Sequence, residues 1–397
     1  MKLSLCAIAL NEEESLAKCL NSVKDVVDEM VVLDTGSSDR TVEVARSLGA
    51  IVYSYPWSND FAAARNEALK YVTGDWVLVL DADEILNPQI IPQIRGAIAK
   101  ENYLVINLLR QEVGAMQSPY SLTSRLFRFH PELIFSHPYH ATIDDSAIAL
   151  QQKEPHWQIV SLPDIAIFHY GYQPGAIATK GKFQRAREVM EAFLATHPED
   201  AYTCNKLGAL YLQEGRIQEG IALLETGLKI PNLDAPLLFE FHYHLGNGYA
   251  RSNLPNEAVG HYQQAIAQPI LPSLKLGAYN NLGSLLQAAG ELKLAENSYK
   301  EALKIDPNLA IIHYNLGMTY KEQGNFKDAI ASYEQTLRLN PEYAPALQNL
   351  GVVWLKCGQL FKSIEFFQRA IALYEQQNPP EAQRLRQGLK SMGFPNL

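Results

Sequence analysis

The chain has 397 residues, with 34 Lys+Arg against 43 Asp+Glu, so its formal net charge is −9 and its pI is about 5.6. With 47% hydrophobic and 19% charged residues it is too apolar to be disordered, and its length implies two or three domains. The acidic balance argues against broad nucleic-acid binding, which needs clustered Lys and Arg. Cys6, Cys19, Cys204 and Cys357 lie far apart without a Cys-x-x-Cys spacing, which fits a reducing compartment and neither a disulfide framework nor a zinc knuckle. Only eight residues separate Lys2 from Asn11, and Glu12-Glu13-Glu14 follows where a signal peptide would be cleaved. No apolar run approaches the roughly 18–20 residues of a membrane span. The expectation is a cytoplasmic protein; a lipid-linked acceptor would add peripheral attachment at the inner face of the membrane.

In chain order, Leu3–Leu10, Glu29–Leu33, Ile51–Tyr55 and Trp76–Leu80 read as buried strands. Glu13–Val23, Arg40–Leu48 and Phe61–Tyr71 between them have helical spacing of apolar residues. This alternation predicts an α/β, Rossmann-like, mostly parallel sheet covered on both faces, with ligands bound beyond the carboxyl ends of the strands. Those ends carry Asn11-Glu12, Asp34 and Asp81–Glu84. From Thr123 to Tyr172 the pattern is short, aromatic and irregular, predicting added strands and loops. Thr179–His197 reads as an amphipathic connecting helix without a Gly/Ser-rich linker, so the second half is expected to pack against the first.

The second half is helical and repeats itself. Leu-Gly pairs fall at 207–208, 245–246, 282–283, 316–317 and 350–351, and small residues follow at Gly220, Ala258, Ala295, Ala329 and Ser363. Four residues beyond each small residue comes Leu224, Tyr262, Tyr299, Tyr333 or Phe367. Leu316 to Leu350 and Pro307 to Pro341 both span 34 residues. This resembles the tetratricopeptide repeat (TPR), a helix–turn–helix unit of that period. The first two Leu-Gly spacings, 38 and 37, predict extended loops between the early units. The resulting division is 1–175, an α/β domain; 176–200, a connecting helix; and 201–397, an all-α solenoid of about five repeats.

Asp81-Ala82-Asp83-Glu84 follows an apolar strand. Two carboxylates in Asp-x-Asp spacing at a strand end suit a Mn²⁺ or Mg²⁺ ion beside a diphosphate. Acidic turns and helix caps use the same residues more often; the position after a buried strand favours the site. Asp34-Thr35-Gly36-Ser37-Ser38-Asp39 makes a turn into a helix, and Asp34 suits hydrogen bonds from a ribose or base. Asn59-Asp60-Phe61-Ala62-Ala63-Ala64-Arg65-Asn66 opens a helix whose small residues permit close approach to a ligand.

The ordered segments ALNEE, VVLDTGSSDRT, NDFAAARNEAL and WVLVLDADE resemble glycosyltransferase family 2, which has the GT-A fold. The likeness is close through about residue 110 and looser to Tyr172. It implies that Asn11 and Glu12 line a base pocket, that Asp34 binds the nucleoside, and that Arg65 and Asn66 lie beside the nucleotide. It makes Asp81 and Asp83 the metal and diphosphate motif. Relatives have an Arg-Leu-Phe-Arg segment, a His-Glu pair and a His-Tyr-Gly-Tyr segment. This chain has Arg125–Arg128, His140-Ala141 and His169–Tyr172. His169 is a candidate third metal ligand, with a hydrogen-bonded core histidine as the alternative. With Ala141 replacing the expected Glu, the candidates for catalytic acid–base work are His140, Asp144 and Asp145.

The resemblance thus implies metal-dependent, inverting sugar transfer from a nucleotide-diphospho-sugar, a UDP-sugar first among donors, to a peptide, protein or glycan. The repeats would bind the acceptor, a protein partner or a second copy. The competing reading is a catalytically degenerate transferase serving as a TPR adaptor, for which Ala141 speaks. A nucleotidyltransferase is disfavoured, because the first strand is followed by Asn11–Glu14 and not by a Gly-rich loop with a lysine.

Overall fold

The structure, a computed structural model, describes residues 1–115, 119–171 and 180–394. Tyr172 and the expected boundary at 175 lie outside them. The chain forms two compact units, Met1–Leu233 and Asp234–Leu397. Among the described residues no helix is long and apolar enough to cross a membrane.

The first unit opens with β1 (Leu3–Ala9), α1 (Leu16–Val23), β2 (Glu29–Asp34), α2 (Thr41–Ser47), β3 (Ile51–Ser54), α3 (Phe61–Leu69) and β4 (Trp76–Val79). There follow β5 (Glu84–Leu86), α4 (Ile91–Ile98), β6 (Tyr103–Glu112), β7 (Tyr120–Arg128), α5 (Asp144–Lys153) and β8 (Gln158–His169). The eight strands form one sheet in the order β3-β2-β1-β4-β7-β6-β8-β5. β1 pairs parallel with β2 and β4, β2 with β3, and β6 with β8, while β4–β7, β6–β7 and β5–β8 are antiparallel. The expected parallel core is therefore the amino-terminal side of a mixed α/β sheet.

Burial on both faces explains the unbroken apolar runs of β1, β2 and β4. Leu3, Leu5, Val32 and Leu78 pack with Leu16, Leu20 and Ile94 on one face. Val31, Leu33, Val77 and Phe127 pack with Ala64, Ala68, Ala147 and Leu150 on the other.

The added strands expected in the irregular stretch are present as a nine-residue and a twelve-residue strand, with an unexpected ten-residue helix between them. Their pattern hides their bounds because β7 carries Ser121, Thr123, Ser124 and Arg125 inside the sheet. In α5 only Ala147 and Leu150 are buried, leaving little periodicity. The unit closes with α6 (Lys180–Thr196), α7 (Ala201–Gln213) and α8 (Ile217–Leu228). The first repeat, α7–α8, thus belongs to the same compact unit as the sheet.

The second unit stacks helix pairs: α9 (Ala235–Arg251) with α10 (Pro255–Ala267), α11 (Leu276–Ala288) with α12 (Leu292–Ile305), and α13 (Ala310–Glu322) with α14 (Phe326–Leu339). The last pair is α15 (Ala344–Lys356) with α16 (Leu360–Gln377), and α17 (Pro379–Ser391) packs on α16 over Phe367, Tyr374, Leu385 and Leu389. Each Leu-Gly glycine is a contact point. A β-carbon on Gly246, Gly283 or Gly317 would lie 2.6, 2.6 or 2.7 Å from the ring of Tyr262, Tyr299 or Tyr333. The first long spacing lengthens a helix, and the second lengthens the connection, with eight residues between α10 and α11 against four between α12 and α13. α9 begins eleven residues before Gly246, where α13 begins seven before Gly317, and Pro272–Lys275 forms a 3-10 turn ahead of α11.

Candidate active site

Because β1, β2 and β4 run parallel, their carboxyl ends bring Asn11, Asp34 and the Asp81 loop to one sheet edge. Asn11 sits in the left-handed region (φ 57°). Its Oδ1 accepts from Ser38 N at 2.8 Å, and its amide donates to Ser37 Oγ at 2.9 Å. The Glu12 amide donates to Thr41 Oγ1 at 2.7 Å, and its carboxylate accepts from the Ser15 hydroxyl. Asp34 is buried, and the turn after β2 folds over its carboxylate. Gly36 N at 3.1 Å and Ser37 N at 3.2 Å donate to it, with Gly36 at φ +108° permitting the bend.

Asp81 meets two arginines. Arg65 Nη2 lies 2.6 Å from Oδ1 and Arg125 Nη2 lies 2.9 Å from Oδ2. Burial would raise the Asp81 carboxyl, but Arg125 and Arg65 outweigh it and hold the carboxyl far below the usual range. Arg65 stands on α3, started by Asp60, whose carboxylate caps the Ala63 amide at 2.9 Å. Arg125 lies at an irregularity in the β6–β7 pairing, where a bulge re-aims side chains. Arg65 Nε and Nη1 and Arg125 Nη1 are buried without an acceptor among the described residues. Leaving such donors unmet costs about 1–3 kcal/mol each, so the surroundings of Asp81 suit an anion.

Asp83 belongs to a second chain of contacts. His169 Nε2 lies 3.2 Å from Asp83 Oδ2, and its Nδ1 lies 2.5 Å from Glu112 Oε2. Arg110 bridges Glu112 and Glu84, each at 2.8 Å, and Glu84 Oε2 accepts the Asp81 amide at 2.8 Å. Burial pushes His169 down, but Asp83 and Glu112 push it up further, to about 9. Glu84, Arg110 and Glu112 were missed in the sequence. The available signal was Arg110 and Glu112 two apart on one strand face within an apolar run.

The remaining sequence candidates are placed as follows. Asn66 is engaged with the Phe135 backbone at both ends: Nδ2 donates to the carbonyl at 2.9 Å and Oδ1 accepts the amide at 2.7 Å. Arg128 lies over Trp76 (4.9 Å) and Trp157 (5.5 Å) and donates to the carbonyls of Tyr103 and Lys100. Asp144 accepts from the Ser124 and Thr142 hydroxyls. Asp145 is largely exposed and accepts from Ser136 Oγ at 2.5 Å. His140 is exposed with φ +55°, and Ala141 packs against the core cluster that contains Phe135 and Ile143.

Among the described residues no three His, Cys, Asp or Glu groups converge on one point as a metal cage. Mg²⁺ needs none, since it is commonly held by one or two carboxylates plus substrate phosphates. Asp83 fits such an ion, and His169 beside it suits Mn²⁺ better than Mg²⁺, whose ligands are oxygens. Adjacent ligands of an octahedral Mg²⁺ sit about 3 Å apart, close to the 3.2 Å observed. Glu112 on Nδ1 is the outer partner that fixes a ligating imidazole. Gly171 keeps the space clear: a β-carbon there would lie 2.7 Å from His169 Nε2 and 3.2 Å from Asp83 Oδ2.

Comparison with known proteins identifies both parts of the chain. Residues 4–160 match Glycosyl transferase family 2, and 178–234, 275–342 and 314–385 match Tetratricopeptide repeat families. Over 99% of this chain and 98% of the relative, the sequence is 43% identical to TPR repeat-containing protein Synpcc7942_0270 of Synechococcus elongatus. It is 30% identical to the SPbeta prophage-derived glycosyltransferase SunS of Bacillus subtilis over 49% of this chain and 45% of that protein, so it spans about half of that relative's length. Among solved structures, YrrB, described as a TPR protein with an unusual peptide-binding site, aligns over 51% of this chain and all of that one, with 20% identity and a TM-score of 0.41. The chain belongs to glycosyltransferase family 2, its GT2 domain joined in one polypeptide to tetratricopeptide repeats.

Proposed function

We propose that the chain transfers a sugar from a nucleoside-diphospho-sugar, a UDP-sugar in the first instance, to a peptide, protein or glycan nucleophile with inversion at the sugar carbon. The observation that carries this reading is the set of buried, unmet N–H donors of Arg65 and Arg125 on either side of Asp81. They are the partners a diphosphate would satisfy.

Asn11, Glu12 and Asp34 bind the nucleoside at the ends of β1 and β2. Arg65 and Arg125 orient the diphosphate. Asp83 and His169, beside Asp81, would hold Mn²⁺ or Mg²⁺, which would supply Lewis-acid stabilisation of the charge on the departing phosphate oxygens. The bond between the sugar carbon and the diphosphate oxygen breaks as the acceptor bond forms on the opposite face, and the acceptor's proton passes to a base. Asp145 is our candidate for that base: Asp144 is tied by two hydroxyls, whereas Asp145 is largely exposed and has Ser136 on Oδ2. The repeats recognise the acceptor or a protein partner through stacked helical surfaces.

Incubation of the full chain with Mn²⁺ and a panel of nucleotide sugars, followed by assay of released nucleotide, tests the reading. Turnover that disappears in Asp83→Ala and falls about 10²–10⁴-fold in Asp145→Asn is the expected result. The adaptor reading draws on both Asp81 oxygens being held by arginines and on Ala141. Absence of both nucleotide binding and turnover across the panel would support it.

A further inference from the structure

Helix α3 delivers Arg65 to Asp81, and its outer side is fastened to the segment Phe135–His140. Asn66 holds the Phe135 backbone at both ends. The Phe61 amide donates to Pro138 O at 2.9 Å, and the Phe61 and Tyr139 rings meet edge-on at 5.5 Å. Phe61 and Arg65, four residues apart, share one face of the helix.

The same segment is fastened on its far side to the first repeat. His137 Nε2 lies 3.1 Å from Asp200 Oδ2, and Asp200 caps α7 by accepting the Thr203 amide at 2.7 Å. Tyr202 Oη donates to the His140 carbonyl at 3.0 Å. Tyr139 packs with Ala186 and Met190 of α6 and Leu207 and Leu210 of α7. His137 and His140 hold φ of +67° and +55°, a region non-glycine residues avoid, so contacts on both sides must maintain the segment's shape.

We propose that the first repeat is a working part of the active site: the Asp200–His137 latch, with Tyr202, fixes segment 135–140, which in turn sets α3 and the position of Arg65 at Asp81. His137 and Asp200 are positioning residues. What the site does rests on the transferase reading above; the coupling rests on contacts alone. Buried His137 faces Asp145 of α5, Asp200 and Tyr202 at the start of α7, and the Phe193 ring of α6. Burial opposes its protonation, but Asp200 and Asp145 favour it more strongly.

Hydrogen exchange followed by mass spectrometry on the full chain reads the coupling directly. In Asp200→Asn, protection across α3 should fall about tenfold together with that of segment 135–140, while α1 stays unchanged. His137→Asn keeps a residue tolerant of the left-handed region and should do the same, and it decides the matter if the Asp200 variant loosens α1 as well. Loss of protection that stops at segment 135–140, with α3 within about twofold of the parent in both variants, overturns the proposal. Titration with UDP and Mn²⁺ separates the two readings. Coupling together with about fivefold or greater weakening of UDP binding supports both. Coupling in a protein that binds no UDP sinks the UDP-sugar reading alone. Unaltered α3 protection with normal UDP binding sinks the coupling alone.

Discussion

Gly171 and Arg110 constrain the candidate site in different ways. A β-carbon at Gly171 would press on His169 Nε2 and Asp83 Oδ2. Gly171→Ala should therefore cut Mn²⁺-dependent nucleotide release about 10²-fold, the cost of roughly ångström-scale misplacement. The same variant should melt at nearly the parent temperature, because the strain falls on side chains at the end of β8. Arg110 lies between Glu84 and Glu112 beneath the site. Arg110→Ala leaves buried Glu84 without its cation, while Glu112 keeps His169, and should lower unfolding free energy by about 3–5 kcal/mol in chemical denaturation. The pairing of Asp83 with His169 could be suspected from the resemblance, but Glu112 on the other side of the imidazole could not. Glu112 and His169 are 57 positions apart and meet only because β6 and β8 pair parallel at that register.

At the scale of elements, the repeats were the most legible part of the chain, because each Leu-Gly pair and its aromatic partner belong to one helix pair of fixed local spacing. Gly317→Ala forces a methyl group to 2.7 Å from the Tyr333 ring and should cost about 1–3 kcal/mol, while Ala329→Trp at the same helix contact should cost more. Calorimetry of the full chain should show both losses, with UDP binding by the first unit retained. Extra residues in a repeat were less legible: an added stretch can extend a helix as well as lengthen a loop, and in α9 it extends the helix. The bounds of β6 and β7 and the helix α5 escaped for the opposite reason. Arg110 pairs with Glu84 and Glu112, Ser124 bonds to Asn107 and Arg125 pairs with Asp81, so polarity no longer marks the solvent side.

At the scale of the whole molecule, the first repeat lies in the same compact unit as the sheet, and the division falls between Leu233 and Asp234. Sequence periodicity marks the first repeat by its longer spacing and by Gly220 and Leu224, but gives no reason to group it with the sheet. The His137–Asp200 contact predicts a pH signature for this unit. His137 is raised from its ordinary 6.5, so its stabilisation is complete below 6.5 and fades as pH rises through the raised value. Asp200 is lowered from 3.8, so its share is complete above 3.8 and fades as pH falls through the lowered value. The difference in melting temperature between the parent and Asp200→Asn should be largest between about pH 4 and 6.5 and shrink toward pH 9. A difference that does not vary with pH would show that the latch carries no charge.

The amino-acid sequence by itself determined the α/β alternation, the repeat period and the placing of Asn11, Asp34 and Asp81 at strand ends. Each of these is written in local spacing, and parallel strands send their ends to a common edge. Only the tertiary structure decided which charges meet. Arg65 and Arg125 converge on Asp81, Arg110 joins Glu84 to Glu112, and His137 reaches Asp200. Those pairings depend on strand order, a bulge in β7 and the docking of α7, all set by the burial of side chains distant in the chain.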